Sequence, residues 1–595
     1  MKLNQIFCGS PASLTEILDA RSRRAGKQKI LLNTPGARCL ISFSLNIPGE
    51  IKCFPMAIRA FEKGFREIRA AVSGQDLLSF EESRENTGPE AFFLLAADAP
   101  EIKRKMASIE ENHGLGRLFD IDVLGPDSVP LSRSVLGLPP RSCLICGENA
   151  KACARNRTHS MELVRWRTAQ ILNDYFKEQS ADQAAAAAVR ALLYEVSATP
   201  KPGLVDRNNS GSHQDMDFFT FVDSSSALIP WFRDFFSIGW EHGDETGDRL
   251  FERLRFAGQN AEAKMFSATG GVNTHKGLIF ASAILCGALG KVYKDAFLLG
   301  KKPPVPLDAV VGECKKLGSC SLKDFKAEDR RQDVSAGAGR RRSTEETAGE
   351  RIHTAYGIAG ARGEAALGFP SALTIGLPAL KAWLSQGFSL NDAAVLTLLS
   401  LLSQVDDTNM IHRGGLTEAA AGKKEAGALL AELTPESFRE KTAALDQSFI
   451  KRNLSPGGCA DLLAVSLMIC FLEESGMIAY DHPLSSPVIL HLSSSVTLRS
   501  TRQGLPAAIT PDGISFVTTL PAPMMVPSPM ETPPQTVELA PIQTSRPMVT
   551  GADVPIPAAR WAASLEWPEQ AMQTPGAINA FSPIWTGDVS RITQL

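Results

Sequence analysis

Apolar positions along this chain follow three rhythms, and each predicts a different kind of structure. Up to about residue 170, short apolar runs alternate with turn signals and helical stretches. The short runs are Lys29-Ile30-Leu31-Leu32, Cys39 to Leu45 (closed by Ile47-Pro48-Gly49), Ala91 to Ala96 and Leu118 to Leu124, while Met56 to Ala71 has helical spacing. An α+β unit is predicted for 1–170. From 171 to 480 strand signals thin out. Ala181 to Glu195, Asn260 to Phe266, Lys276 to Leu289, Leu390 to Gln404 and Gly458 to Glu473 predict buried or amphipathic helices, and this zone reads as all-α. Within it, Lys315 to Glu350, with Arg340-Arg341-Arg342, reads as a charged, solvated loop. Beyond 481 periodicity is lost. Pro521 to Pro557 is rich in Pro, Thr, Ser and Met, and such a segment buries too little surface to offset its ordering entropy, so 481–595 is expected to be largely disordered. The scattered Trp561, Trp567 and Trp585 fit weak local contacts.

Length and charge narrow this picture. A chain of 595 residues exceeds what one hydrophobic core supports, so a multidomain protein is expected. The net charge of −3 offers no basic field for nucleic acid, so any anionic ligand must be held by local groups. The N-terminus lacks a basic start followed by an apolar run. Ala393 to Leu402 and Ala460 to Leu472 fall short of the roughly 18 residues a membrane span needs. The 11 cysteines, odd in number and scattered, fit reduced thiols, and a cytoplasmic protein with no membrane partner is expected.

Two clusters in the first zone carry chemistry. In Gly116-Arg117-Leu118-Phe119-Asp120-Ile121-Asp122-Val123-Leu124, a strand would project Asp120 and Asp122 from one face. Two carboxylates side by side can hold Mg²⁺ and so neutralise a triphosphate in nucleotidyl transfer. A surface strand with two solvated aspartates would read the same way. Downstream, Cys143-x2-Cys146, Cys153 and His159 have the types and order of a Cys3His zinc set, or of thiols packed in a turn-rich segment.

Leu45-Asn46-Ile47-Pro48-Gly49, Thr87-Gly88-Pro89-Glu90, the Gly116 to Val123 segment and Pro140-Arg141-x-Cys143-x2-Cys146-x6-Cys153-Ala154-Arg155 with His159 together resemble the citrate lyase holo-acyl-carrier-protein synthase family. The resemblance covers about residues 10 to 165. It implies transfer of a phosphoribosyl-dephospho-CoA group to a serine of the apo acyl carrier protein (gamma) subunit, with release of pyrophosphate. It also implies an N-terminal domain of nucleotidyltransferase-like type, metal binding at Asp120 and Asp122, and phosphate binding at Arg117.

The second zone is denser in polar clusters. Glu195 closes a helix and is followed by Thr199-Pro200-Lys201-Pro202-Gly203-Leu204-Val205-Asp206, a loop stiffened by its prolines. Thr269-Gly270-Gly271-Val272-Asn273-Thr274-His275-Lys276-Gly277 opens onto an apolar helix, where backbone N–H groups and the helix dipole can meet an anion. Arg362-Gly363-Glu364 with Gly368-Phe369-Pro370, Asp406-Asp407-Thr408-Asn409 with Arg413-Gly414-Gly415, and Ser455-Pro456-Gly457-Gly458 repeat the theme of glycine and charge at helix ends. A hydrophilic connector is the bland alternative for the loop after Glu195, and a Gly-Gly helix start is weak alone; together the clusters predict one polar site built from helix termini.

Jointly, over about residues 184 to 475, these segments resemble the triphosphoribosyl-dephospho-CoA synthase family, with Pro456-Gly457-Gly458-x-Ala460-Asp461-Leu462-Leu463 as a further match. The resemblance implies ATP and 3′-dephospho-CoA as substrates and adenine as a product. Under it, Glu195, Asp206, Glu364, Asp406 and Asp407 are candidates for proton transfer or metal binding. Asp407 is the expected Mg²⁺ ligand. Lys201, Gly270, Gly271, Asn273, His275, Lys276, Arg362, Asn409, Arg413, Gly414 and Gly415 are candidates for nucleotide or phosphate binding. A bifunctional enzyme is expected. Its rivals are a chain with only the synthase half active, and a zinc-dependent carrier-protein scaffold without catalysis.

Overall fold

A computed structural model of the chain describes residues 3–74, 77–334, 358, 360–434 and 437–480. The expectations for 481–595, for its tryptophans, and for Arg340 to Arg342 lie outside the described residues.

The N-terminal half begins with helices α1 (Leu3–Ile6) and α2 (Leu14–Leu32), then strand β1 (Cys39–Leu45), α3 (Pro55–Ala71), β2 (Leu77–Glu85), β3 (Gly88–Leu95), α4 (Ala99–Asn112), β4 (Phe119–Leu124) and α5 (Ala150–Asn156). The strands form one antiparallel sheet in the order β2-β3-β1-β4. Alternation splits β1 between two faces. Ile41 and Phe43, with Phe93, Phe119 and Ile121, face α3 and α4 in the main core. The approach of α3 is close enough that a Cβ on Gly64 would lie 2.5 Å from the Phe43 ring, so glycine is needed there. On the other face, Leu40, Phe92, Leu94 and Leu124 meet Leu32 of α2 in a smaller cluster.

Two short elements depart from the pattern. Lys29 to Leu32 is the last turn of α2, a helix started by a reciprocal Ser13–Glu16 capping box. β2 is an edge strand whose polar sequence hid it. Its charges are paired to neighbouring helices, Glu81 to Lys27 at 2.7 Å and Arg84 to Glu62 at 2.9 Å.

Helix α6 (Met161–Ser197) runs unbroken across the expected boundary at residue 170. At 1.5 Å per residue it is roughly 55 Å long. Ser160 caps its start and Glu195 lies in its last turn. The C-terminal half follows with α7 (Phe218–His242), α8 (Gly247–Ala268), α9 (Lys276–Leu298), β5 (Val305–Pro306) and α10 (Leu307–Val334). Then come α11 (Gly360–Ala366), α12 (Leu377–Ser385), α13 (Leu390–Leu402), α14 (Thr408–Ala431), α15 (Phe438–Lys451), α16 (Gly457–Glu474) and β6 (Ile478–Ala479).

The all-α reading needs one amendment, a two-residue parallel ladder between β5 and β6. The loop expected from Lys315 is helical as far as Val334, because Val310, Cys314, Leu317 and Ser321 recur at helical spacing and are buried. α7 and α9 touch backbone to backbone. A Cβ on Gly239 would lie 1.9 Å from the Gly287 carbonyl oxygen. α9 is long and apolar enough to cross a membrane, but 72% of that stretch is buried within the protein, as in a core helix.

The halves share their packing. The Arg59 guanidinium sits 4.0 Å from the centre of the Phe297 ring and donates to the Lys301 carbonyl, while Lys302 pairs with Glu62 at 2.7 Å.

Candidate active sites

Helix ends of the C-terminal half converge on a cavity of about 1340 Å³. Glu195, Lys201, Asn273, His275, Lys276, Arg362, Glu364, Asp406, Asp407, Asn409 and Arg413 all line it. Segments far apart in sequence thus meet, as their composition predicted. Asp206, Gly270, Gly271, Gly414 and Gly415 do not line it.

Each exception has a physical reason. Asp206 is buried and accepts backbone N–H groups from Lys201 (2.9 Å), Asn208 (2.7 Å) and Asn209 (3.1 Å), so its carboxylate organises the loop after α6. Asp446 on α15 tethers the same loop through Gly203 N–H at 2.8 Å and the Asn209 amide at 2.9 Å. Gly270 and Gly271 have φ of +66° and +95°, and Gly271 N–H donates to Phe266 O at 2.7 Å. That is a left-handed stop for α8; the N–H expected to meet an anion is already used. Gly415 is a kink inside α14 with φ +79°, and Gly414 packs where a Cβ would lie 2.5 Å from Leu454.

Within the cavity wall, Lys201 is 1% exposed and its ammonium donates to Glu195 Oε1 at 2.5 Å and to the Glu195 carbonyl at 2.8 Å. Two of its three donors are therefore spent at the end of α6, where a cation also suits the helix dipole. Asp407 caps α14 and joins it to α16. Its Oδ1 accepts Asn409 and Met410 N–H at 2.8 and 3.0 Å, and its Oδ2 accepts Cys459 N–H at 2.7 Å. Burial raises its pKa, and those N–H groups oppose the shift. A carboxylate so occupied fits poorly as the Mg²⁺ ligand expected of it.

Asp461, on the first turns of α16, is different. Among the described residues it has no hydrogen-bond partner, and it lines the cavity. Its Oδ2 rests against Gly277, where a Cβ would lie only 2.1 Å away. Burial, then the nearby charges of Glu195 and Asp407, push its pKa well above the ordinary aspartate range.

His275 is 3% exposed. Burial, then the Lys201 charge, lower its pKa to about 3, so it is neutral. Its Nδ1 meets Ser224 Oγ at 2.7 Å, and Ser224 in turn accepts from Thr274 at 2.7 Å. Its buried Nε2 has no partner among the described residues. Arg413 clamps two loops by donating to Ser212 O and, at 2.8 Å, to Asn453 Oδ1. His213 Nε2 meets Ser455 Oγ at 2.9 Å beside it. Lys276 pairs with Glu262 at 3.3 Å, and Asp406 with Lys423 at 2.7 Å. Glu364 accepts from Ser371 Oγ at 2.6 Å and Ser371 N–H at 3.1 Å. Asn409 packs on Gly457, where a Cβ would lie 2.4 Å from its amide nitrogen.

In the N-terminal half, Asp120 and Asp122 stand exposed on one face of β4, opposite Ser44 and Ser42 of β1. The Asp122 side chain reaches solvent, but the protein around it, then the Asp120 charge, raises its pKa; Lys103, Arg24 and Lys151 oppose this. Arg117 donates to Ser142 O just before the cysteine cluster.

Two families match the chain in tandem. Residues 12–175 match the family described as apo-citrate lyase phosphoribosyl-dephospho-CoA transferase. Residues 181–478 match that described as ATP:dephospho-CoA triphosphoribosyl transferase. Protein CitXG of Leuconostoc mesenteroides subsp. cremoris is 34% identical over 481 residues, covering 78% of this chain and 98% of the relative. Protein CitXG of Haemophilus influenzae is 35% identical over 477 residues, covering 79% and 97%. The chain belongs to the CitXG family. A Streptococcus mutans protein named probable 2-(5''-triphosphoribosyl)-3'-dephosphocoenzyme-A synthase is 40% identical over 290 residues, covering 48% of this chain and 95% of the relative.

In this CitXG chain, Asp461, His213, Ser224 and Asp446 went unselected as site residues from sequence. Asp461 sits within the quoted Pro-Gly-Gly motif, and its Ala460 and Leu462 neighbours make it look like a polar break in a core helix. The signal that could have found it is its position one turn into a helix that starts with paired glycines. Gly277 provides a direct check. Gly277→Ala should displace the Asp461 carboxylate and reduce adenine release by at least about tenfold with a small change in melting midpoint, since Ala favours a helix over Gly by roughly 1 kcal/mol. Unchanged turnover would show that the contact with Asp461 is immaterial.

Proposed function

We propose that the helical cavity makes 2'-(5''-triphosphoribosyl)-3'-dephospho-CoA from ATP and 3'-dephospho-CoA with release of adenine. The β4 face then transfers the phosphoribosyl-dephospho-CoA part to a serine of the apo acyl carrier protein (gamma) subunit of citrate lyase, with release of pyrophosphate. The observation that carries this reading is convergence: helix-end clusters spread from Glu195 to Asp461 line one cavity in the half that matches the synthase family. We take 1–170 as the transferase part, with a nucleotidyltransferase-like sheet, and 171–480 as the synthase part.

In the synthase step, the ribose hydroxyl of dephospho-CoA forms a bond to the anomeric carbon of ATP as the bond to adenine breaks. The transition state has oxocarbenium character, and the hydroxyl proton must leave. Asp461 is the carboxylate open to take it, with Glu195 held nearby by Lys201. Neutral His275 offers Nε2 as a hydrogen-bond donor to the nucleotide. Arg362, Arg413 and Lys276 supply positive charge to the triphosphate, which survives the step.

In the transfer step, the serine oxygen attacks the α-phosphorus and pyrophosphate departs. Asp120 and Asp122 present two carboxylates side by side on one strand face and suit Mg²⁺. When bound, that ion would neutralise the charge of the triphosphate. Arg117 contributes to the same end. We read the Cys143, Cys146, Cys153 and His159 cluster as a zinc site.

Incubation with ATP, dephospho-CoA, Mg²⁺ and apo carrier protein, followed by intact mass, tests both steps. The expected result is free adenine plus a mass gain equal to the complete prosthetic group. Adenine without a mass gain would remove the transferase reading, and no adenine would remove the synthase reading.

A further inference from the structure

Beside the aspartate face, four potential metal ligands meet. The sulfurs of Cys143, Cys146 and Cys153 and a ring nitrogen of His159 all lie within 4.8 Å of one another. Cys146 Sγ is 3.3 Å from His159 Nε2 and 3.5 Å from Cys153 Sγ. Zinc bonds of about 2.3 Å to sulfur and 2.0 Å to nitrogen place tetrahedral ligands roughly 3.5–3.8 Å apart, so the cluster is close to its bound spacing. A disulfide would need its sulfurs at about 2.05 Å, and all of these cysteines are free.

The backbone around the cluster is shaped to present it. Ser142 and Asn149 form an antiparallel bridge, Ala150 N–H donates to Arg141 O at 2.9 Å, and Gly147 turns the hairpin with φ +79°. Ile145 N–H lies 3.5 Å from Cys143 Sγ. The Asn149 side chain caps α5, which carries Cys153, and His159 directly precedes the Ser160 cap of α6. Four protein ligands close the coordination shell. A closed shell suits a structural metal, whereas a catalytic zinc keeps a position open.

The hairpin is also stitched to the segment that leads into β4. Arg141 donates to Phe119 O at 2.8 Å, Gly116 O at 3.0 Å and Arg117 O at 3.2 Å. In return Arg117 donates to Ser142 O, one residue before Cys143. The guanidinium nearest in sequence to Asp120 and Asp122 is therefore oriented by the first strand of the hairpin.

We infer that Cys143, Cys146, Cys153 and His159 bind one structural zinc ion whose role is to fix the hairpin that orients Arg117 on the segment leading into β4, so that the metal supports phosphoribosyl transfer and not adenine release. This rests on reading the β4 face as the transferase site. Arg117 is the group that meets the triphosphate; the four ligands act through it.

The test uses the full chain, purified without added chelator, and two assays: adenine release, and labelling of apo carrier protein from pre-made triphosphoribosyl-dephospho-CoA. Elemental analysis should give one zinc per chain, and cobalt exchange should give the visible absorption of a tetrahedral thiolate site. Cys146→Ser should lose the metal and lower carrier labelling on the order of 10- to 100-fold, as loss of metal-site support does elsewhere, with adenine release unchanged. Arg117→Lys should keep the zinc and raise KM for the triphosphoribosyl donor, with KM for the carrier unmoved. Absence of stoichiometric zinc overturns the proposal. So does normal labelling by Cys146→Ser. If Cys146→Ser loses both activities, Arg117→Lys decides: a donor KM raised with zinc retained supports the proposal, and an unchanged KM overturns it. A wild-type chain that binds zinc but never labels the carrier would refute the transferase reading and, with it, the metal's role, while leaving the metal site standing.

Discussion

Asp461→Asn is expected to lower adenine release from ATP and dephospho-CoA by a factor on the order of 10² to 10⁴, the range typical of losing a positioned proton acceptor. The substitution is nearly isosteric, so the contact with Gly277 and the packing of α16 should persist. What changes is basicity. Among the described residues no donor engages the Asp461 carboxylate, while Glu195 and Asp407 crowd it with negative charge. A carboxyl raised in this way stays protonated to higher pH than an ordinary aspartate. The wild-type rate should therefore rise with pH as Asp461 ionises, and Asp461→Asn should lose that acid limb. Adenine measured by chromatography across a pH series checks both points. Activity within a few-fold of wild type, with the limb intact, would remove Asp461 from the chemistry. Labelling of carrier protein from pre-made donor should be unaffected, since that step is assigned to the other half.

The contrast between Asp461 and Asp407 shows where sequence reading stops. Both are acids at helix starts, and Asp407 is the one expected to bind Mg²⁺. In space, three backbone N–H groups use the Asp407 carboxylate as a splice between α14 and α16. Whether a carboxylate is occupied depends on which helix end is brought against it, and no spacing rule reports that. Glycine was similarly double-edged. Gly270-Gly271 reads as an anion cradle ahead of α9, but its conformational freedom serves to end α8. Legible features were those with a local cause: the alternation that exposes Asp120 and Asp122 while burying Ile121, the apolar runs of α9, α13 and α16, and the compact cysteine spacing. The polar edge strand β2 and the unbroken course of α6 depended on tertiary partners and left weak local traces.

The largest expected effect on stability is at Lys201. Lys201→Met should destabilise the C-terminal half by about 3–5 kcal/mol, because it leaves the Glu195 carboxylate buried without its cation. The pair is almost wholly enclosed, with side-chain exposures of 1% and 6%, so water cannot take over the lost contact. The same ammonium also donates to the Glu195 carbonyl in the last turn of α6, which would then keep only the Ala198 N–H at 3.3 Å. Removing both charges should be milder: in Lys201→Met/Glu195→Gln nothing ionised remains buried, and much of the loss should return. Chemical denaturation followed by a probe in the C-terminal half would rank the variants, with midpoints compared and not extrapolated energies, since so large a chain need not unfold in two states. The ranking separates two jobs for Lys201. A counter-ion predicts the single variant below the double, with KM for ATP near normal in whichever variant stays folded. A phosphate ligand predicts near-wild-type stability in Lys201→Met and a raised KM for ATP. The hydrogen bonds favour the counter-ion, which would make Lys201 the group that holds the Glu195 carboxylate in place near Asp461.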